Sequence, residues 1–173
     1  MGDKTQLLSL LLAARYRRPL PIIAGIFVAT LLNHGLASAL GTWLTRVIDP
    51  EGMRWVLGGL FIAVALWMLV PDQAEDAQGR GRGRLGLFGL TVVAFFLAEM
   101  GDKTQIATVM LAARYDQLIV VTLGTTVGMM LANVPAVLMG DKVVKWVPIA
   151  WVHRSAAILF AAMGIAVLAG WGR

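Results

Sequence analysis

Apolar and polar positions fall into long blocks along this chain, with no polar face recurring at helical spacing. Residues 19–44 carry no formal charge, and His34 is their only ionisable group. Residues 55–70 and 155–171 are uncharged, as are residues 117–140. Residues 85–113 are interrupted only by Glu99, Asp102 and Lys103. Amphipathic helices of a soluble protein would show an apolar stripe opposite a charged one. Blocks of this kind predict membrane-spanning helices instead, each needing about 20 apolar residues. The 55–70 and 155–171 blocks are short for that task. A sixth stretch, residues 1–16, opens on its polar residues and reaches only about 24 Å as a helix, less than the hydrocarbon thickness of about 30 Å.

Composition agrees with the pattern. Of 173 residues, 58% are hydrophobic and 14% charged, with a mean hydropathy of +0.76; a soluble domain carries about 25% charged residues. So few charges cannot cover an aqueous surface, and a lipid bilayer removes the need. The 19 glycines suit closely packed helices in lipid. The net charge of +5 comes from cations between apolar runs, not from one basic patch, so it reads as loop arginines and implies no nucleic-acid partner. With no cysteine, disulfides and thiolate metal sites are excluded. No cleavable signal peptide is expected. The strongly polar connector, residues 71–84, reads as a solvated linker.

The chain also repeats itself. Gly2-Asp3-Lys4-Thr5-Gln6 recurs ninety-nine residues later as Gly101-Asp102-Lys103-Thr104-Gln105, and Leu12-Ala13-Ala14-Arg15-Tyr16 recurs as Leu111-Ala112-Ala113-Arg114-Tyr115. The same interval pairs Gly25 with Gly124, His34 with Asn133, and Leu60-Phe61 with Leu159-Phe160. The organisation that follows is all-α and polytopic: a first three-helix unit over 1–70, a cytoplasmic linker over 71–84 and a second three-helix unit over 85–173. An odd number of helices per unit puts the second unit into the membrane from the opposite side. Such inverted repeats carry a binding site near the midplane in transporters. Counting only Lys and Arg in the connections, Arg15, Arg17, Arg18, Arg80, Arg82, Arg84, Lys142, Lys145 and Arg154 fall on one side, and Arg46, Arg54, Arg114 and Arg173 on the other. The richer side is expected to be cytoplasmic.

Charge at membrane depth is costly and signals function. Glu99 and Asp102, three apart, share one helical face. Thr104 adds a hydroxyl, and Gly101 permits a local break that would free carbonyl oxygens for a cation. The first copy supplies Asp3 and Thr5. Carboxylates, hydroxyls and carbonyls are hard donors suited to Mg, Ca or Mn. Carboxylates that take either metal or protons also provide the coupling for exchange. The cation-binding candidates are therefore Asp3, Thr5, Glu99, Asp102 and Thr104, with Asp3, Glu99 and Asp102 as the charged metal ligands. Lys4, Lys103, Gln6, Gln105, His34 and Asn133 are candidates to support them. The same pattern also fits helix–helix ion pairs, and the lysines fit either charge balance or a tether. Gly140-Asp141-Lys142 faces Gly41-Thr42-Trp43 in the repeat and reads as an interfacial pair, not a third copy.

The duplicated motif, ExGDKT at Glu99 to Thr104, resembles that of the membrane exchangers that move manganese or calcium against protons, a family grouped with the lysine exporters. The resemblance covers essentially the whole chain. It implies six or seven spanning helices in two inverted units, a cation site built from both motifs, and manganese or calcium as transported substrate with no resident cofactor. In the first copy the motif's glutamate would fall one position before Met1, so the first helix is expected to lack its N-terminal half.

No HExxH, Gly-x-Ser-x-Gly or cysteine nucleophile is present, and the even treatment of both halves favours transport over a membrane enzyme. A channel or an amino-acid exporter are the other readings. The Ala, Gly and Arg bias points to a bacterial inner membrane and a multi-pass protein; partners are divalent cations, protons and lipid. Oligomeric state is not legible.

Overall fold

The computed structural model describes the backbone of residues 3–69, 86–139 and 149–170, and their side chains apart from 3–4 and 149–153. The linker and Gly140-Asp141-Lys142 lie outside the described residues. Seven helices account for nearly all of what is described: α1 Asp3–Tyr16, α2 Pro19–Val47, α3 Pro50–Met68, α4 Gly86–Glu99, α5 Lys103–Tyr115, α6 Leu118–Met139 and α7 Ile149–Leu168.

Three of them, α2, α3 and α6, are long and apolar enough to cross a membrane; α4 and residues 154–168 of α7 are shorter apolar helices. The two short blocks of the sequence reading lengthen at their N-termini. Helix α3 begins at Pro50, not near Trp55, because Asp49 caps it: its Oδ2 accepts from the Gly52 N–H at 2.8 Å, and proline at the first helical position costs no hydrogen bond. Helix α7 begins at Ile149, ahead of Arg154. In both, an arginine in the first turns hid the true start.

Helix starts follow the repeat interval closely, Pro19 against Leu118 and Pro50 against Ile149. Helix α2 is central, packed against α4, α5 and α6, while α3 pairs with α7. Small residues set these distances. A β-carbon on Gly41 would overlap the Val109 carbonyl of α5, and one on Gly25 would stand 2.6 Å from Thr91 Cβ of α4. Two buried clusters result. One joins α3, α5 and α7 through Met53, Phe61, Met110 and Phe160. The other gathers Leu8, Ile22, Ile26, Phe95 and Val137 from α1, α2, α4 and α6. Many large apolar side chains face outward, among them Leu20, Leu131 and Ile158, as lipid-facing helices require.

Candidate cation site

The uninterrupted apolar block over 85–113 breaks where the sequence placed its charges. Helix α4 ends at Glu99 and α5 begins at Lys103. Gly101 between them has φ of +75°, a left-handed conformation that an L side chain would strain. The regular helical ladder stops there: the Phe96 and Glu99 carbonyls accept from the Met100 and Asp102 N–H groups at 3.2 and 3.1 Å, and the ladder resumes from the Asp102 carbonyl.

Side chains from α2 and α5 tie the break down. The Gly101 N–H donates to Gln105 Oε1 at 2.8 Å, Gln105 Nε2 donates to Asn33 Oδ1 at 2.6 Å, and Asn33 Nδ2 donates to the Phe96 carbonyl at 3.2 Å. Thr104 Oγ1 donates to Asp102 Oδ2 at 3.0 Å. Asp102 precedes the first residue of α5, where the positive end of the helix favours a carboxylate.

Glu99 is only 2% exposed. Its Oε1 accepts from Thr30 Oγ1 of α2 at 3.2 Å, while its Oε2 is buried with no hydrogen-bond partner. Asp102 is near enough to act electrostatically on both Glu99 and His34. Lys103, 1% exposed, sets its Nζ over the Trp67 ring, 5.4 Å from the centroid.

The first copy sits on α1. Thr5 is buried with an unpartnered hydroxyl. Gln6 Nε2 donates to the Ala132 carbonyl of α6 at 3.3 Å. The side chains of Asp3 and Lys4 lie outside the described residues. Asn133 is buried, accepts from Ser9 Oγ at 3.1 Å and donates to the Met129 carbonyl. His34, at the matching position of α2, is buried with neither ring nitrogen partnered. Among the described residues no three His, Asp or Glu side chains converge on one point, so the acidic core there is the pair Glu99 and Asp102. Thr30 was not among the residues singled out from sequence. Its signal is its position, one turn before the intramembrane Asn33 and His34.

A family model for divalent cation/proton antiporters matches residues 1–76 and 87–172. The chain belongs to the GDT1 family. Members similar to it include the "Putative manganese exporter" of Vibrio cholerae, 48% identical over 96% of this chain and 82% of the relative. A GDT1-like protein 5 of Arabidopsis thaliana is 30% identical over 95% of this chain and 88% of the relative. A GDT1-like protein of Synechocystis is 30% identical over 65% and 64%. No solved structure matches. GDT1 membership makes this chain a membrane cation transporter, and the break at Glu99–Lys103 is the place in the fold where charge, an open carboxylate oxygen and loosened backbone coincide.

Proposed function

We propose that this chain exports a divalent cation, manganese or calcium, in exchange for protons, through a site centred on Glu99 and Asp102. The observation that carries the reading is the Glu99 carboxylate, buried in an apolar bundle with one oxygen held by Thr30 and the other unpartnered. A carboxylate in that position needs a cation or a proton, since an uncompensated buried charge costs several kcal/mol. The two occupants exclude each other, and that exclusion is the coupling of an exchanger.

Thr104 and the helix-end carbonyls add neutral oxygen donors beside Asp102. Asp3 and Thr5 are assigned to the same site from the first unit. An all-oxygen set suits manganese and calcium alike. Gln105, Asn33, Gln6 and Asn133 hold the surrounding backbone, and His34, one turn along α2 from Thr30, is a further supporting group.

The inverted relation of the two units is supported by a reciprocal pair of contacts. Gln6 of the first unit reaches Ala132 of the second, and Gln105 of the second reaches Asn33 of the first. Positions 33 and 132 are ninety-nine apart, as are the glutamines. A twofold rotation between units converts one contact into the other. The location that fits is a bacterial inner membrane, with the end of the bundle carrying Arg17 and Arg18 in the cytoplasm.

The test is flux into proteoliposomes holding the purified chain, with manganese, calcium and lysine as separate cargoes and an imposed pH gradient. Uptake of manganese or calcium that follows the gradient supports the proposal. Gradient-independent cation flux would make the protein a channel, and lysine-only movement would make it an amino-acid exporter.

A further inference from the structure

Four buried polar side chains outside the ligand set have no partner among the described residues: His34 and Ser38 on α2, and Thr122 and Thr126 on α6. Each is at least nine-tenths buried. On α2 they continue a four-residue spacing that starts at Thr30, the residue bonded to Glu99, so Thr30, His34 and Ser38 form one stripe. On α6, Thr122 and Thr126 form a second stripe. The two helices pack together, and a β-carbon on Gly35 would stand 3.9 Å from Thr122 Cγ2.

Both stripes lead to the same end of the bundle. There Thr45 of α2 donates to Asp116, in the connection that starts α6, across an exposed 3.5 Å contact. Buried hydroxyls and imidazoles are normally hydrogen-bonded, and an unpartnered run of them marks a place for water.

The repeat sharpens the point. The positions matching His34, Ser38, Thr122 and Thr126 are Asn133, Val137, Ile23 and Phe27. Asn133 is satisfied by Ser9 and its own helix. Val137 belongs to a buried apolar cluster and Ile23 packs against it. Phe27 is apolar and partly exposed, outside that cluster, so the matching positions toward the Arg17–Arg18 end carry no unpartnered polar group, and Val137 and Ile23 are packed in apolar surroundings.

We propose that His34, Ser38, Thr122 and Thr126 line a one-sided aqueous path from the Glu99 site to the membrane face that carries Asp116 and Gln117. The path serves water and hydrated small cations, and the apolar cluster seals the opposite half. The assignment rests on the transport reading for its biological use, but not for its test.

The chain has no native cysteine, so single-cysteine variants report unambiguously. Ser38→Cys and Thr126→Cys, with Val137→Cys and Ile23→Cys as the matched pair, are exposed to a brief pulse of silver ion on one membrane face at a time. The protein is then denatured and its remaining thiol counted with a fluorescent maleimide. Gln117→Cys, at an exposed position, identifies the face. Gel filtration in detergent confirms that each variant is folded like its parent.

The expected result is loss of free thiol at Ser38→Cys and Thr126→Cys from the Gln117 face only, with Val137→Cys and Ile23→Cys keeping their free thiol when silver is applied from that face. Full retention of thiol at the first pair while Gln117→Cys reacts, or equal loss in all four, overturns the path. Silver access is read without manganese or calcium. A chain that shows the expected pattern but moves no divalent cation keeps the path and loses the cargo assignment.

Discussion

Phe61 and Phe160 touch each other, with ring centroids 5.8 Å apart and planes inclined by 32°. They are also ninety-nine positions apart, the interval between the two GDKTQ segments. Two positions exchanged by a twofold rotation can meet only near the rotation axis. Under the proposed inverted repeat, the axis would run between α3 and α7. Phe61→Ala and Phe160→Ala should each destabilise the folded protein by about 3–5 kcal/mol, the usual cost of emptying a large aromatic site. The double variant should cost less than the two singles together, because the second deletion removes a ring whose partner has already gone. Thermal unfolding in detergent reads both effects, and strict additivity would separate the two rings energetically.

Thr30 is predicted to act on the cation through Glu99. Thr30→Val keeps the shape of the side chain and removes the hydroxyl that holds Oε1. Loss of such a supporting hydrogen bond typically weakens metal affinity by about 10–100-fold. Thr30→Ser restores the donor and should recover most of the affinity. Equal affinities for Thr30→Val and the parent would remove Thr30 from the site.

Gly41 should tolerate no side chain. Its β-carbon would meet the Val109 carbonyl, and backbone cannot rotate aside, so Gly41→Ala must push α2 from α5. Overpacking of this kind costs about 1–3 kcal/mol. Gly59 on α3 has nothing within 4 Å of its built β-carbon. Gly59→Ala should instead be neutral or stabilising, by up to about 1 kcal/mol, from helix propensity alone. Paired melting curves decide it.

Trp67 is predicted to hold the buried Lys103 cation. Trp67→Leu should destabilise by about 1–2 kcal/mol, the range of a largely desolvated cation–π contact, and Trp67→Phe by less. Unfolding measured with Lys103 intact tests this, and no difference between the two variants would reduce the contact to packing.

Much of this arrangement is written in the sequence. The fivefold block pattern yields α2, α4 with α5, and α6 nearly to the residue, because charge in lipid is so strongly penalised that its absence marks a span. The break at Gly101 follows from two carboxylates and a glycine inside an apolar run. Less legible are the starts of α3 and α7, since Arg54 and Arg154 within their first turns resemble loop charges. Least legible is the choice of hydroxyl. Thr42, Thr91, Thr108 and Thr125 turn back to carbonyls of their own helices, whereas Thr30 reaches across to Glu99. Composition and spacing are the same in both cases, and only the packing of α2 against α4 separates them.

The most direct check of the central claim is manganese binding followed by electron paramagnetic resonance on the purified chain in detergent. Free hexa-aquo manganese gives a strong spectrum that diminishes on binding, and the bound ion reports the atoms around it. The account predicts binding with oxygen ligands only, lost in Glu99→Gln and in Asp102→Asn and retained in Asp116→Asn. Binding in Glu99→Gln as tight as in the parent would contradict it.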